Sequence, residues 1–209
     1  MTTSTPDRAV ARPFPRAILF DFGGTLDADG LPTIAQFHAA YRAEGGRHDT
    51  AAFGTAFRGS DHRLAALTDI ATLGYTATVA AQARLLADLC ADEPAVDWSA
   101  VAARVTAGAR AVVARNRPVL EAIRGRARLG VVSNFTGNVD RCLGELGLLD
   151  VFDTVADSAL VGHAKPDPEV FHIALRALGT APDDALMVGD NPFADVRAAA
   201  AVGLATCWL

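Results

Sequence analysis

The sequence predicts an α/β fold: a doubly wound parallel sheet interrupted after its first strand by an inserted α-helical domain. Three observations lead there. Short apolar runs end in polar clusters, most clearly residues 17–20 before Asp21 and residues 185–188 before Gly189-Asp190. From Pro118 onward such runs alternate with segments of helical period, the pattern of βαβ units. Residues 31–115, in contrast, carry helical periods and no convincing strand.

Taken in order, residues 1–15 mix Thr, Ser, Pro and Arg without periodicity and read as a flexible N-terminal tail. Residues 17–20 form a buried strand that ends at the turn-forming pair Gly23-Gly24 and delivers Asp21 to the sheet edge. In residues 31–115, Ile34, Phe37 and Tyr41 share a helix face that stops at Gly45-Gly46, and Val101, Val105 and Val112 mark another. This span is the inserted helical domain, and residues 16–30 and 116–209 are the α/β core. The next strand, residues 129–132, ends at Ser133-Asn134 and precedes a helix over 137–146. A strand over 151–156 follows. The helix over 168–178 turns Val170, Phe171, Ala174 and Leu178 inward, with Asp167 as its cap and Pro168 in its first turn. Residues 185–188 are a strand, the Ala198–Ala201 run suits a helix packed closely on a sheet, and residues 204–208 are the last strand. Phe14, Phe22 and Trp208 read as packing residues.

A chain of 209 residues has room for one domain with a large insertion, and 51% hydrophobic against 21% charged residues places it among folded proteins. The net charge of −5 gives no bulk basic field for nucleic acid or an anionic membrane. Cys90, Cys142 and Cys207 are odd in number and far apart, which suggests neither a disulfide framework nor a zinc site and suits a reducing cytoplasm. No stretch near Met1 resembles a secretion signal, and no apolar run is long enough to span a bilayer, so the expectation is a soluble protein. Oligomeric state leaves no trace in the sequence.

In such folds ligands bind beyond the carboxyl ends of the strands. Four clusters fall there: Asp21-Phe-Gly-Gly-Thr25, Ser133-Asn134, Lys165-Pro166, and Gly189-Asp-Asn-Pro-Phe-Ala-Asp195. If Asp21, Asp190 and Asp195 converge, they need a cation to stay ionised together. Oxygen-only ligands select a hard ion, and Mg²⁺ fits because it keeps waters and leaves room for a phosphate oxygen. Ser133 can donate a hydrogen bond and Lys165 a positive charge, a pairing suited to a bound phosphate. Attack by Asp21 would then form an aspartyl phosphate, and water would complete the reaction.

The order and spacing of these clusters resemble the four motifs of the haloacid dehalogenase superfamily, over nearly the whole chain. The resemblance implies a Rossmann-like core with a helical cap over residues 31–115 that closes on the site and selects the substrate. It also implies that Asp21 is the nucleophile and a metal ligand, that the Gly23 carbonyl and Asp190 join it, and that Asp195 supports the metal. Ser133 and Lys165 would hold the phosphate, with Asn134, Gly24 and Thr25 as further substrate-binding candidates. A phosphorylated small molecule is the implied partner.

One departure stands out. Phosphatases of this superfamily usually carry a second aspartate two positions after the nucleophile as general acid and base, and here that position is Gly23. Asp27 and Asp29 are the nearest acids in sequence. Branches without that aspartate include phosphonate hydrolases, which need an amine in the cap, yet residues 31–115 contain no lysine. They also include dehalogenases, which lack the acidic Gly-Asp start retained here at Gly189-Asp190. The leading reading is therefore a Mg²⁺-dependent phosphatase with its usual acid replaced. The alternative is a weak or inactive binding or regulatory protein. In the cap, His38, Arg42, Arg58, His62 and Arg63 read as a solvated face, and the isolated His163 and His172 carry no assigned role.

Overall fold

The computed structural model describes residues 13–93 and 95–209; most of the expected tail, residues 1–12, lies outside them. Its sheet has five parallel strands in the order β3-β2-β1-β4-β5. They are β1 (Ala17–Phe20), β2 (Arg128–Ser133), β3 (Thr154–Asp157), β4 (Ala185–Gly189) and β5 (Ala205–Trp208). β1 is central and apolar throughout because helices cover both of its faces.

On one face, Ile18 and Phe20 with Leu129 and Val131 meet α5 (Val139–Leu146), whose Val139, Cys142, Leu143 and Leu146 are all buried. On the other, Leu19, Val132 and Met187 meet α7 (Pro168–Leu178) and α8 (Ala198–Val202). The inward set of α7 is the one its period predicts, and Asp167 caps it through the Glu169 backbone N–H. Ala198 and Ala199 allow the close approach of α8. The short α6 (Ser158–Val161) joins β3 to the segment carrying Lys165.

Between β1 and β2 the chain forms α1 (Thr33–Ala43), α2 (Thr50–Ala65), α3 (Tyr75–Leu89) and α4 (Trp98–Arg124). Phe37, Tyr41, Phe53 and Phe57 from α1 and α2 pack with Leu86 of α3 and Val101 of α4. These side chains belong to the same apolar cluster as Phe20 and Leu129 of the sheet, so the helices and the sheet share a core.

Several expectations are corrected. α4 runs through residue 115 and through Pro118 without a break and ends only at Arg124, so no change of structure marks the expected boundary. Pro118 is tolerated because it and Ala114, whose carbonyl loses its usual donor, both lie on the exposed side of α4, where water can reach that carbonyl. That stripe is Val101, Val105, Ala109 and Val113, with Val112 only half-buried beside it. The third strand begins at Thr154, since residues 149–151 close a 3₁₀ turn that buries Val151 first. The helix expected from residue 137 starts at Val139, because Gly137 has φ +90° and cannot belong to a right-handed helix. Phe22 is buried as expected, but Phe14 and Trp208 are exposed. Phe14 lies under the Arg126 guanidinium, 3.9 Å from its ring centre.

Candidate active site

Because β1 is flanked by β2 and β4, with Phe20 beside both Val131 and Val188, Asp21 emerges between Ser133 and Gly189-Asp190. Its backbone N–H donates to the Val188 carbonyl at 2.9 Å, which carries sheet pairing one residue beyond the strand. The chain then makes a wide π-type turn, Phe22–Leu26. Gly24 in that turn has φ +92°, and a Cβ there would come within 2.6 Å of Asp190 Oδ2. Only glycine permits both the turn and the approach of Asp190.

Asp21, Asp190 and Asp195 present carboxylate oxygens that all lie within 4.8 Å of one another. Thr25 Oγ1 donates to Asp190 Oδ1 at 3.2 Å, and Trp208 Nε1 donates to the Asp190 carbonyl at 2.9 Å. Asp195 is completely buried on the turn after β4 and accepts from the Asn191 backbone N–H at 3.0 Å. Lys165, the single lysine of the chain, reaches Asp21 Oδ1 at 2.7 Å and Asp195 Oδ1 at 2.6 Å. Its backbone is clamped by Asn134, whose Oδ1 accepts from the Lys165 N–H at 2.7 Å and whose Nδ2 donates to the Lys165 carbonyl at 2.8 Å.

Electrostatics follow from this crowding. Burial pushes the Asp21 carboxyl up to about 6; the Lys165 ammonium opposes the shift and the neighbouring Asp195 adds to it. Burial also raises Asp190. Burial alone would lower Lys165, but Asp21 and Asp195 outweigh it and the net shift is upward, so the lysine stays charged. Two carboxylates thus share one ammonium, and the third has only a hydroxyl. Three hard oxygen donors this close, with a glycine cradle keeping the space beside Asp190 clear, suit a small divalent cation.

A cavity of about 330 Å³ opens above these groups. Asp21, Gly23, Ser133, Asn134, Lys165 and Asp195 line its floor, while Phe57, Asp61 and Leu64 of α2 close it from the helical side. Of the expected site residues, Asp21, Asp190, Asp195, Lys165 and Ser133 therefore come together. Gly23 lines the cavity, whereas Gly24 and Thr25 lie beneath Asp190, and the Gly24 N–H is taken by Asp27 Oδ1 at 2.7 Å. The Asn134 amide is engaged by Lys165.

Neither of the acids that follow Gly23 most closely in sequence, Asp27 and Asp29, lines this cavity. Asp27 is buried between the Gly24 N–H and the Tyr75 hydroxyl, which donates to it at 3.0 Å. Asp29 points outward to Arg115 and Asn116. Sequence reasoning passed over several cavity residues, among them the polar Thr33, Asp61 and Thr136. A signal for Asp61 was present: it lies four residues after Phe57 and three before Leu64, an acid on the apolar stripe of a helix.

Comparison with known proteins agrees with this geometry. Pyrimidine 5'-nucleotidase YjjG from Escherichia coli is 43% identical over 94 residues, covering 44% of this chain and 41% of that protein. A phosphoserine phosphatase from Thermus thermophilus is 42% identical over 90 residues, covering 43% of this chain and 36% of that one. These matches span less than half the length of either relative. The magnesium-bound HAD-hydrolase YfnB structure from Bacillus subtilis shares the fold at 15% identity, with a TM-score of 0.54 over 94% of this chain and 89% of that one. The profile of the haloacid dehalogenase-like hydrolases matches residues 15–203. With the profile spanning nearly all of the chain and the acidic cluster at the ends of β1 and β4, the chain belongs to the haloacid dehalogenase-like hydrolase family.

Proposed function

We propose that the protein is a Mg²⁺-dependent phosphatase that acts on a phosphorylated small molecule through an aspartyl-phosphate intermediate on Asp21. The observation that carries this reading is the placement of Asp21 within 4.8 Å of Asp190 and Asp195, beside Lys165, at the floor of a cavity. Relatives named as a nucleotidase and a phosphoserine phosphatase support it.

Asp21, Asp190 and Asp195 would hold the Mg²⁺, with the Gly23 carbonyl beside them. When bound, the ion supplies positive charge that holds Asp21 ionised and neutralises a phosphate oxygen. The rest falls to the chain. A carboxylate oxygen of Asp21 forms a bond to phosphorus as the ester P–O bond breaks. Lys165 keeps a positive charge next to the attacking oxygen, and Ser133 faces the same cavity with a hydroxyl able to donate to the transferring group. Residues 31–115 act as the cap, and Phe57 and Leu64 exclude water from the reacting atoms. The substrate is a small molecule free in the cytoplasm. Cys90, Cys142 and Cys207 are all unpaired, which suits that compartment, and no described helix is long and apolar enough to cross a membrane.

The test is hydrolysis of an activated aryl phosphate with and without Mg²⁺. We expect metal-dependent release in the wild type and none above background in Asp21→Asn. A specific observation favours a second reading, a phosphate-binding protein with little turnover: position 23 carries no carboxyl, and Asp27 and Asp29 are both engaged elsewhere. Tight binding of phosphate ligands without release from any ester would establish that reading and overturn the first.

A further inference from the structure

Cleaving an alkyl phosphate expels an alkoxide, a poor leaving group unless a proton reaches its oxygen as the bond breaks, and the second step needs a base to take a proton from water. Four ionisable side chains line the main cavity among the described residues: Asp21, Lys165, Asp195 and Asp61. The first three are committed to one another, since Lys165 bridges Asp21 and Asp195. Asp61 is left. It projects from α2, on the side of the cavity opposite the strand ends, where a leaving group would extend away from Asp21.

We infer that Asp61 is the general acid and base of this hydrolase, delivered from the inserted helices in place of the carboxyl missing at position 23. The inference rests on the phosphatase reading above. In the first step the Asp61 carboxyl gives its proton to the departing ester oxygen, which leaves as an alcohol while Asp21 bonds to phosphorus. In the second, the Asp61 carboxylate takes a proton from water. The resulting hydroxide oxygen bonds to phosphorus, the Asp21–phosphorus link breaks, inorganic phosphate departs and Asp61 is protonated again.

Three features support the assignment. Gly23, Thr33, Phe57, Asp61, Leu64 and Phe135 line both the main cavity and a smaller apolar recess of about 80 Å³ beneath α2, so Asp61 stands where the two meet. Secondly, its carboxylate is oriented from behind: Gln82 Nε2 donates to Asp61 Oδ1 at 2.8 Å and to Ser60 Oγ at 2.7 Å. Gln82 is itself buried, and among the described residues its Oε1 has no hydrogen-bond partner, so the amide is held through its Nε2 contacts with Ser60 and Asp61. Thirdly, although Asp61 stays open to solvent on one side, partial burial against the cavity pushes its carboxyl up to about 6, against the opposing effects of the Gln82 hydrogen bond and the neighbouring His62. A carboxyl that titrates there can serve as acid in one step and base in the next near neutral pH.

The test compares wild type, Asp61→Asn and Asp61→Glu with Mg²⁺ on two esters, glycerol phosphate and p-nitrophenyl phosphate, whose nitrophenolate departs without a proton. Asp61→Asn is expected to lower kcat on glycerol phosphate by about 10²- to 10⁴-fold. On p-nitrophenyl phosphate it should release one equivalent of nitrophenol at the wild-type rate and then stall, with phosphate trapped on Asp21, and Asp61→Glu should recover part of the alkyl activity. If the wild type hydrolyses both esters and Asp61→Asn either matches it on glycerol phosphate or loses the first turnover of both equally, the Asp61 assignment is overturned and the phosphatase reading stands. A wild type that hydrolyses neither ester overturns both.

Discussion

At the scale of single residues, Lys165 organises the site. It is buried with two carboxylates on its ammonium, an arrangement in which the remaining negative charge has to be met from outside the chain. Asp27 shows the other way in which a buried acid is accommodated. Its surroundings push its carboxyl up from the ordinary 3.8 to about 6, chiefly through burial, with the Gly24 N–H and Tyr75 hydroxyl opposing. A raised acid binds its proton more tightly in the folded state. Its stabilising contribution is therefore complete below about pH 4 and is lost as pH rises through about 6, a change of about 3 kcal/mol at about 1.4 kcal/mol per pH unit. Asp27→Asn stays neutral throughout, and its amide can accept from Gly24 and donate to the Tyr75 oxygen. Urea unfolding at pH 4 and pH 7 should show the variant gaining about 3 kcal/mol relative to wild type between the two. A constant difference between the proteins would refute the assignment.

At the scale of elements, polar contacts reinforce the shared apolar core in tying the inserted helices to the sheet. Asn138, fully buried at the start of α5, donates from Nδ2 to the Leu73 carbonyl and to Thr78 Oγ1, both at 2.9 Å and both from the inserted segment. Glu145 of α5 accepts from the Thr76 backbone N–H at the start of α3 and from Arg110 of α4. Truncating Asn138 to Ala leaves the Leu73 carbonyl without that donor, and the expected cost is about 1–3 kcal/mol, readable as a lower denaturation midpoint. Unchanged stability would mean that water replaces the amide there. The elements also show what local patterning conveys. The strand at residues 17–20 and the α7 face at Val170, Phe171, Ala174 and Leu178 were legible, because an apolar run and a 3.6-residue period depend on neighbours in the chain alone. The end of α4 was not. Proline is a poor helix former, so Pro118 argued for a boundary, whereas packing of Val113 and Leu120 on either side carries the helix on to Arg124.

For the whole molecule, one apolar cluster runs from the sheet residues Ile18 and Val131 through α5 into α1–α4. An ion bound by the acids that follow β1 and β4 would therefore be linked to the stability of the entire fold. If Mg²⁺ binds the folded protein alone, a concentration 100 times its Kd adds about 2.7 kcal/mol. For a chain of this size that raises Tm by about 5–10 °C. The rise should be seen by calorimetry in the wild type and vanish in Asp190→Asn; an equal rise in both would place the ion elsewhere.

The strand ends and their chemistry were written locally. Asp21 after an apolar run, Gly189-Asp190 after another and the solitary Lys165 could be picked out from residue type and order, because a parallel sheet always presents strand ends on one edge. Which groups then touch was decided in three dimensions. Lys165 lies 144 positions from Asp21 and bonds to it, Asp27 turns away from the cavity to meet Tyr75, and Asp61, 40 positions after Asp21, enters it from α2. Neighbours in sequence determine period and turns, but the direction in which a carboxyl points is set by burial and hydrogen bonding to partners the chain brings back from far away.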